Sequence, residues 1–155
     1  MLYLLTQLAV FLQPVVLYAN TTGHSNVAVG YKSLDTNTTG CLNVAVGTGA
    51  LGDSTTGCMN TASGHYSLAD NTTGHRNTAT GMVSLRENTT GCKNTASGYA
   101  SMYNNTTASN NTASGYYSLF SNTTGAYNTA SGSCALKSNT TGGGNTAVGK
   151  SAMHV

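Results

Sequence analysis

Five side chains able to bind soft metal ions or form disulfides recur at one interval: His24, Cys41, Cys58, His75 and Cys92 follow one another seventeen residues apart. Imidazole and thiolate suit zinc and softer ions. Two thiols on adjacent layers of a stacked structure are also near enough for a disulfide, here Cys41 with Cys58. The next three places in the series hold Ser109, Ala126 and Gly143, so the column is not sustained, and neither a metal nor a cofactor is assigned to it. Cys134 falls at a different place in the interval and is expected to be free. No Cys-x-x-Cys pair occurs, and the four cysteines leave the redox compartment open. The acids Asp35, Asp53, Asp70 and Glu87 gather near the ends of the interval, where Asp53 and Asp70 would stack as like charges rather than as an acid–base pair. No phosphate loop, zinc-hydrolase helix or nucleophile elbow is present, and the chain reads as a non-enzyme.

The interval is a true repeat. A unit beginning Asn-Thr-Thr-Gly starts at Asn20, Asn37, Asn71, Asn88, Asn105, Asn122 and Asn139, and with Ser in place of Asn at Ser54. Asn105 begins the one copy with Ala108 in the fourth place. Eight copies run from Asn20 to Val155 without insertion or loss, which marks a solenoid. Counted from its first residue, the unit holds Thr at two and three in every copy. Position seven is always Asn: Asn26, Asn43, Asn60, Asn77, Asn94, Asn111, Asn128 and Asn145. Position nine is always Ala: Ala28, Ala45, Ala62, Ala79, Ala96, Ala113, Ala130 and Ala147. Position eleven is always Gly, and position fifteen is Leu34, Leu51, Leu68, Leu85, Met102, Leu119, Leu136 or Met153.

Positions seven to eleven alternate as a strand does, with Asn, Ala and Gly on one face and Val, Thr or Ser on the other. The glycines at four and eleven suit corners that need positive φ, and Gly, Asn, Thr and Ser together disfavour helix. The expected fold is all-β, a parallel β-solenoid or β-roll of eight seventeen-residue rungs, each with two short strands and two turns. Rungs about 4.8 Å apart would make a rod about 40 Å long. Stacking predicts an amide ladder from the Asn at seven and hydroxyl ladders from the Thr columns, with the Asn at one serving its turn. The core is the Ala column at nine with the Leu and Met column at fifteen. So thin a core has to offset the ordering of seventeen residues per rung, so burial against further chains is expected, as a homo-oligomer.

Residues 1–19 form a separate apolar segment. Its run is interrupted by Gln7, Gln13 and Pro14 and lacks a basic start, so it makes an imperfect signal peptide and no membrane span. A third reading is an out-of-frame repeat from Met1 to about Val16. Thr6-Gln7-Leu8-Ala9, encoded as ACA-CAA-CTG-GCx after a codon ending in A, becomes Asn-Thr-Thr-Gly when shifted by two bases. Leu17-Tyr18-Ala19 already fits the end of a unit in frame. A signal, a hydrophobic cap and a frameshift all stay open.

Composition narrows the function. Only 6% of residues are charged and the net charge is +2, with no two basic residues adjacent, so no nucleic-acid surface is expected. Low charge also favours association over a solitary soluble chain. Asn20, Asn37, Asn71, Asn88, Asn105, Asn122 and Asn139 begin N-glycosylation sequons, joined by Asn104 and Asn110. These matter only if the chain passes through a glycosylating secretory route; otherwise the motif is turn chemistry. Tyr31, Tyr66, Tyr99, Tyr103, Tyr116, Tyr117, Phe120 and Tyr127 fall at variable outer places, suited to inter-chain packing or to a carbohydrate or protein receptor.

At Asn26-Val27-Ala28-Val29-Gly30-Tyr31-Lys32-Ser33-Leu34, Asn43–Gly47 and Asn145–Gly149 the chain resembles the head repeats of trimeric autotransporter adhesins. It is still more similar to the Asn-Thr-Ala-x-Gly and Asn-Thr-Thr-Gly arrays of phage tail-fibre and bacterial surface proteins, over Asn20–Val155. The resemblance implies a left-handed β-roll of three chains side by side, displaying a binding surface outside a cell or virion. The repeat here is longer than that of adhesin heads, and the family's stalk, anchor and self-cleaving chaperone have no counterpart between Met1 and Val155. The function expected is therefore the structural rod of an extracellular, cell-surface or virion fibre, used for attachment or display. A self-assembling filament stacked end to end is the alternative. Ice binding ranks third, because Thr21 and Thr22 are adjacent and would face opposite ways.

Overall fold

The computed structural model describes residues 16–153. It is all-β, with no helix among the described residues. Each rung contributes one strand of three residues: β1 (Val27–Val29), β2 (Val44–Val46), β3 (Thr61–Ser63), β4 (Thr78–Thr80), β5 (Thr95–Ser97), β6 (Thr112–Ser114), β7 (Thr129–Ser131) and β8 (Thr146–Val148). They form one sheet in sequence order, every neighbour parallel. The register puts equivalent residues side by side, as in Ala28 beside Ala45 and Ala113 beside Ala130. This is the β-solenoid that the repeat requires.

Each rung has one strand rather than the two expected from the sequence. The reason lies in the backbone at positions six, thirteen and fifteen, which turns left-handed in every copy. Examples are Arg76 (φ 59°), Val83 (φ 50°) and Leu85 (φ 52°) in the fourth rung. Three reversals in ten residues interrupt any second extended segment. Neighbouring rungs nevertheless stay bonded around the whole circuit. Leu34 N–H donates to Ala50 O at 3.1 Å, Thr36 to Gly52 O at 3.0 Å, Thr38 to Thr55 O at 2.9 Å, and Gly49 to Tyr31 O at 2.8 Å. The backbone is satisfied rung against rung, as a narrow coil with little interior demands.

Strand side chains alternate as expected: the Ala at nine points inward and the residues at eight and ten face solvent. The core is a single file of Ala and Leu, with Ala45, Leu51, Ala62, Leu68, Ala96 and Leu119 all fully buried. Two members of the expected core depart from this at the ends of the described stack. Ala28 is half-buried, and Met153 is 48% exposed because no described rung lies beyond it.

The two glycine positions work differently. Gly47, at eleven, has φ 135° and its missing Cβ would lie 2.5 Å from the Gly64 carbonyl oxygen. Position four was expected to need positive φ as well, and it does not. There the constraint is space: a Cβ on Gly40 would sit 2.3 Å from Asn37 Oδ1 and 2.5 Å from Gly57 O.

The repeat register extends back beyond Asn20. Leu17 is left-handed (φ 51°), its N–H donates to Ser33 O, and Ala19 N–H donates to Asp35 O. These are the bonds made by Leu34 and Thr36 one rung later, so Leu17–Ala19 occupy positions fifteen to seventeen of a preceding turn. The readings of Met1 to about Val16 as signal, cap or frameshift fall almost wholly outside the described residues.

Candidate functional site

Two asparagine columns run the length of the coil. At position seven the expected ladder is present, but it joins side chain to backbone, with an amide-to-amide bond only between Asn145 and Asn128 at the last described pair. Asn60 N–H donates to Asn43 Oδ1 at 2.9 Å, and Asn43 Nδ2 donates to Gly57 O at 2.8 Å. The same pair of bonds links Asn77 to Asn60 and Asn60 to Gly74. Each buried side-chain amide thus uses both its oxygen and its nitrogen on the following rung, as burial of a polar group requires.

The side-chain amide ladder is at position one, where the sequence suggested only a turn. Asn88 Nδ2 donates to Asn71 Oδ1 at 2.8 Å, Asn105 to Asn88 at 2.7 Å, and Asn139 to Asn122 at 2.9 Å. The same nitrogens close the local turn onto the carbonyl three residues on, as in Asn88 to Gly91 O at 3.0 Å. Ser54 interrupts the column. Its Oγ and the Asn37 Oδ1 that faces it are both buried without a partner.

This geometry bears on the sequons. Asn37, Asn71, Asn88, Asn105 and Asn122 are fully buried with no exposed surface. Their amide nitrogens are spent on the ladder and turn bonds, so a glycan there does not coexist with the fold. Asn139 and Asn104 are half-buried, and Asn20 and Asn110 are exposed.

The threonines divide by position. Those at two form a hydroxyl ladder onto backbone, as in Thr72 Oγ1 to Thr89 O at 3.0 Å. Those at three are exposed. Serines at fourteen are a further buried set, each donating across its own turn, as Ser67 Oγ does to Gly64 O at 2.9 Å. The sequence marked them only by small size, Ser or Ala in every copy.

All chemically distinctive side chains lie outside this frame. The ten charged residues occur only at positions six, twelve, thirteen, sixteen and seventeen, and the cysteines only at five and thirteen. At five, Cys41 and Cys58 meet with Sγ–Sγ 2.9 Å. The Cys41 thiol is pushed above its ordinary pKa, chiefly by its hydrogen bond with Cys58, then by desolvation and the neighbouring charge. His24, His75 and Cys92 continue the column, but no three His, Cys, Asp or Glu side chains converge as a metal site among the described residues. All four cysteines are free thiols.

The aromatic residues make one continuous strip in the later rungs. Tyr99 stacks on Tyr116 at 5.4 Å, Tyr116 meets Tyr117 edge-on at 4.4 Å, Tyr117 meets Phe120 at 4.8 Å, and Phe120 stacks on Tyr103 at 5.5 Å. Cations complete it. Lys137 Nζ lies 5.2 Å from the Tyr117 ring centre, and the Arg86 guanidinium sits between Tyr66 and Tyr103 at 5.6 and 5.7 Å. Tyr31 and Tyr127 stand apart as exposed single rings.

No helix of the described residues is long and apolar enough to cross a membrane. Comparison with protein-family models, curated proteins and solved structures finds no match.

Proposed function

We propose that the chain is the repeat rod of an extracellular, cell-surface or virion fibre, holding a receptor-contacting surface at a distance. The observation that carries this reading is the division of the rung. Interior columns repeat with little change, while among the described residues the outer columns vary and hold every charge, thiol and aromatic ring. The product of a frame of this kind is length and a patterned surface. The resemblance to adhesin heads and tail-fibre arrays supports the same reading. Antibodies against the repeat, imaged by immunogold on intact source cells and particles, should decorate projecting fibres. Labelling confined to the cell interior would overturn the proposal.

Association of chains is part of it. Val27, Val29, Val44 and Val46 form an exposed apolar patch on the outer face of β1 and β2, with exposures from 37% to 56%. Its burial between chains fits the trimer of the related repeats. Light scattering on the purified chain should give three times the protomer mass. A growing, polydisperse species would favour the end-to-end filament, and a lone monomer would remove assembly from the proposal.

Ice binding gains one observation. The hydroxyl face is not Thr21 and Thr22 but positions eight and ten, where β3 to β7 carry outward Thr with Ser or Thr two residues on. Thermal hysteresis of the chain would raise this reading above the fibre, and its absence would close it.

A further inference from the structure

We propose that Cys41 and Cys58 are a disulfide site that fastens the second rung to the third, one of the two junctions flanking Ser54 where the amide ladder lacks its bond. Both thiols stand at position five of adjacent, in-register rungs. Their sulfurs are 2.9 Å apart, and Cys41 N–H donates to Cys58 Sγ at 3.1 Å. Stacked equivalents at rung spacing, about 4.8 Å, fall inside the Cα separation that a disulfide spans. Both side chains are half-exposed, so a soluble reagent reaches them. No other cysteine pair shares this placement: His75 separates Cys58 from Cys92 in the column, and Cys134 stands at position thirteen.

The location gives the bond a purpose. Four residues before each thiol is position one, and at this junction the facing groups are Asn37 Oδ1 and Ser54 Oγ, both buried and unpartnered. Later junctions, such as Asn88 with Asn71 and Asn105 with Asn88, carry the amide bond that is missing here. A covalent link four residues along the same junction substitutes for it.

The chemistry is thiol–disulfide exchange with a low-molecular-weight disulfide as oxidant. One protein thiolate attacks a sulfur of the reagent, forming a mixed disulfide and expelling one reagent thiolate. The second protein thiolate then attacks the protein sulfur of that mixed disulfide and expels the other. Two protein thiols lose two hydrogens, and one reagent disulfide becomes two thiols.

The test treats the full folded chain with oxidised glutathione and cleaves it on the N-terminal side of Asp35, Asp53 and Asp70, which puts the two cysteines on separate peptides. The expected product is lighter by two hydrogen atoms, with those peptides joined and Cys92 and Cys134 still open to alkylation. Free thiols, stable glutathione adducts at both positions, or a Cys58–Cys92 link would overturn the site. Hydrogen exchange tests its purpose: amides from Asn37 to Asn71 should exchange more slowly in the oxidised chain, and the gain should shrink in Ser54→Asn. Equal exchange with and without the bond, or an undiminished gain in Ser54→Asn, would sink the fastening role.

Discussion

At the scale of single residues, Ser54 is the most informative departure from the repeat. It leaves an amide oxygen and its own hydroxyl buried and unpaired within an otherwise paired column. Ser54→Asn restores a donor toward Asn37 and the turn bond to Gly57, and should raise unfolding free energy by about 1–2 kcal/mol, read from denaturant unfolding. An unchanged or lowered midpoint would mean that the ladder does not bear on stability. Asp70 offers a second check. Burial raises its pKa, Arg86 opposes this in part, and Asp53 adds to the rise. The folded chain therefore holds this proton more tightly than the unfolded chain does. The stability it contributes is present below the ordinary aspartate pKa and lost as pH climbs through the raised folded value. Asp70→Asn should consequently be the more stable protein at neutral pH and gain nothing in strong acid, as thermal melts across pH will show. The sequence disclosed which residues every rung needs but not what each bonds to. Asn at seven was legible as a ladder, yet its partner is backbone. Asn at one looked like a turn because Asn-Thr-Thr-Gly is turn chemistry, and the amide does both jobs at once.

At the scale of the rung, the unexpected element is the left-handed backbone at six, thirteen and fifteen. Sequence reasoning looks for Gly or Asn at such places. Here most copies hold Leu, Met, Tyr, Lys or Val instead, and the length of the unit, with room for two short strands and two turns, gives no hint of the reversals. The αL conformation is imposed by rung-to-rung hydrogen bonds rather than by local preference, which is why no single unit reveals it. Val83 is the sharpest case, a β-branched residue at φ 50° on a half-buried surface position. Val83→Asn should stabilise the chain by about 1 kcal/mol, measured by chemical denaturation, since Asn tolerates that backbone at lower cost. A loss of stability would show that Val83 packing outweighs its backbone strain. The alternation at seven to eleven, by contrast, was readable because period-two burial is local to a strand.

At the scale of the whole molecule, the stack is additive. Each described rung meets only its neighbours through the same bonds, so the period itself is the unit of architecture, and the seventeen-residue interval made that visible without coordinates. Excision of Asn71–Glu87 joins Asp70 to Asn88 in register and should keep the β-type circular dichroism while lowering the unfolding free energy by one rung's share. A deletion of about half that length should abolish the cooperative transition, because it shifts every later side chain out of its column. Loss of structure after the in-register excision would deny that the rungs are equivalent. The separation of invariant interior from variable exterior has a practical corollary. The coil behaves as a molecular pegboard, on which four histidines written at the fifth place of consecutive units would stand in a straight row about 4.8 Å apart. Such a ruler for spacing ligands at near-atomic pitch is open to lettering without any change to the frame beneath it.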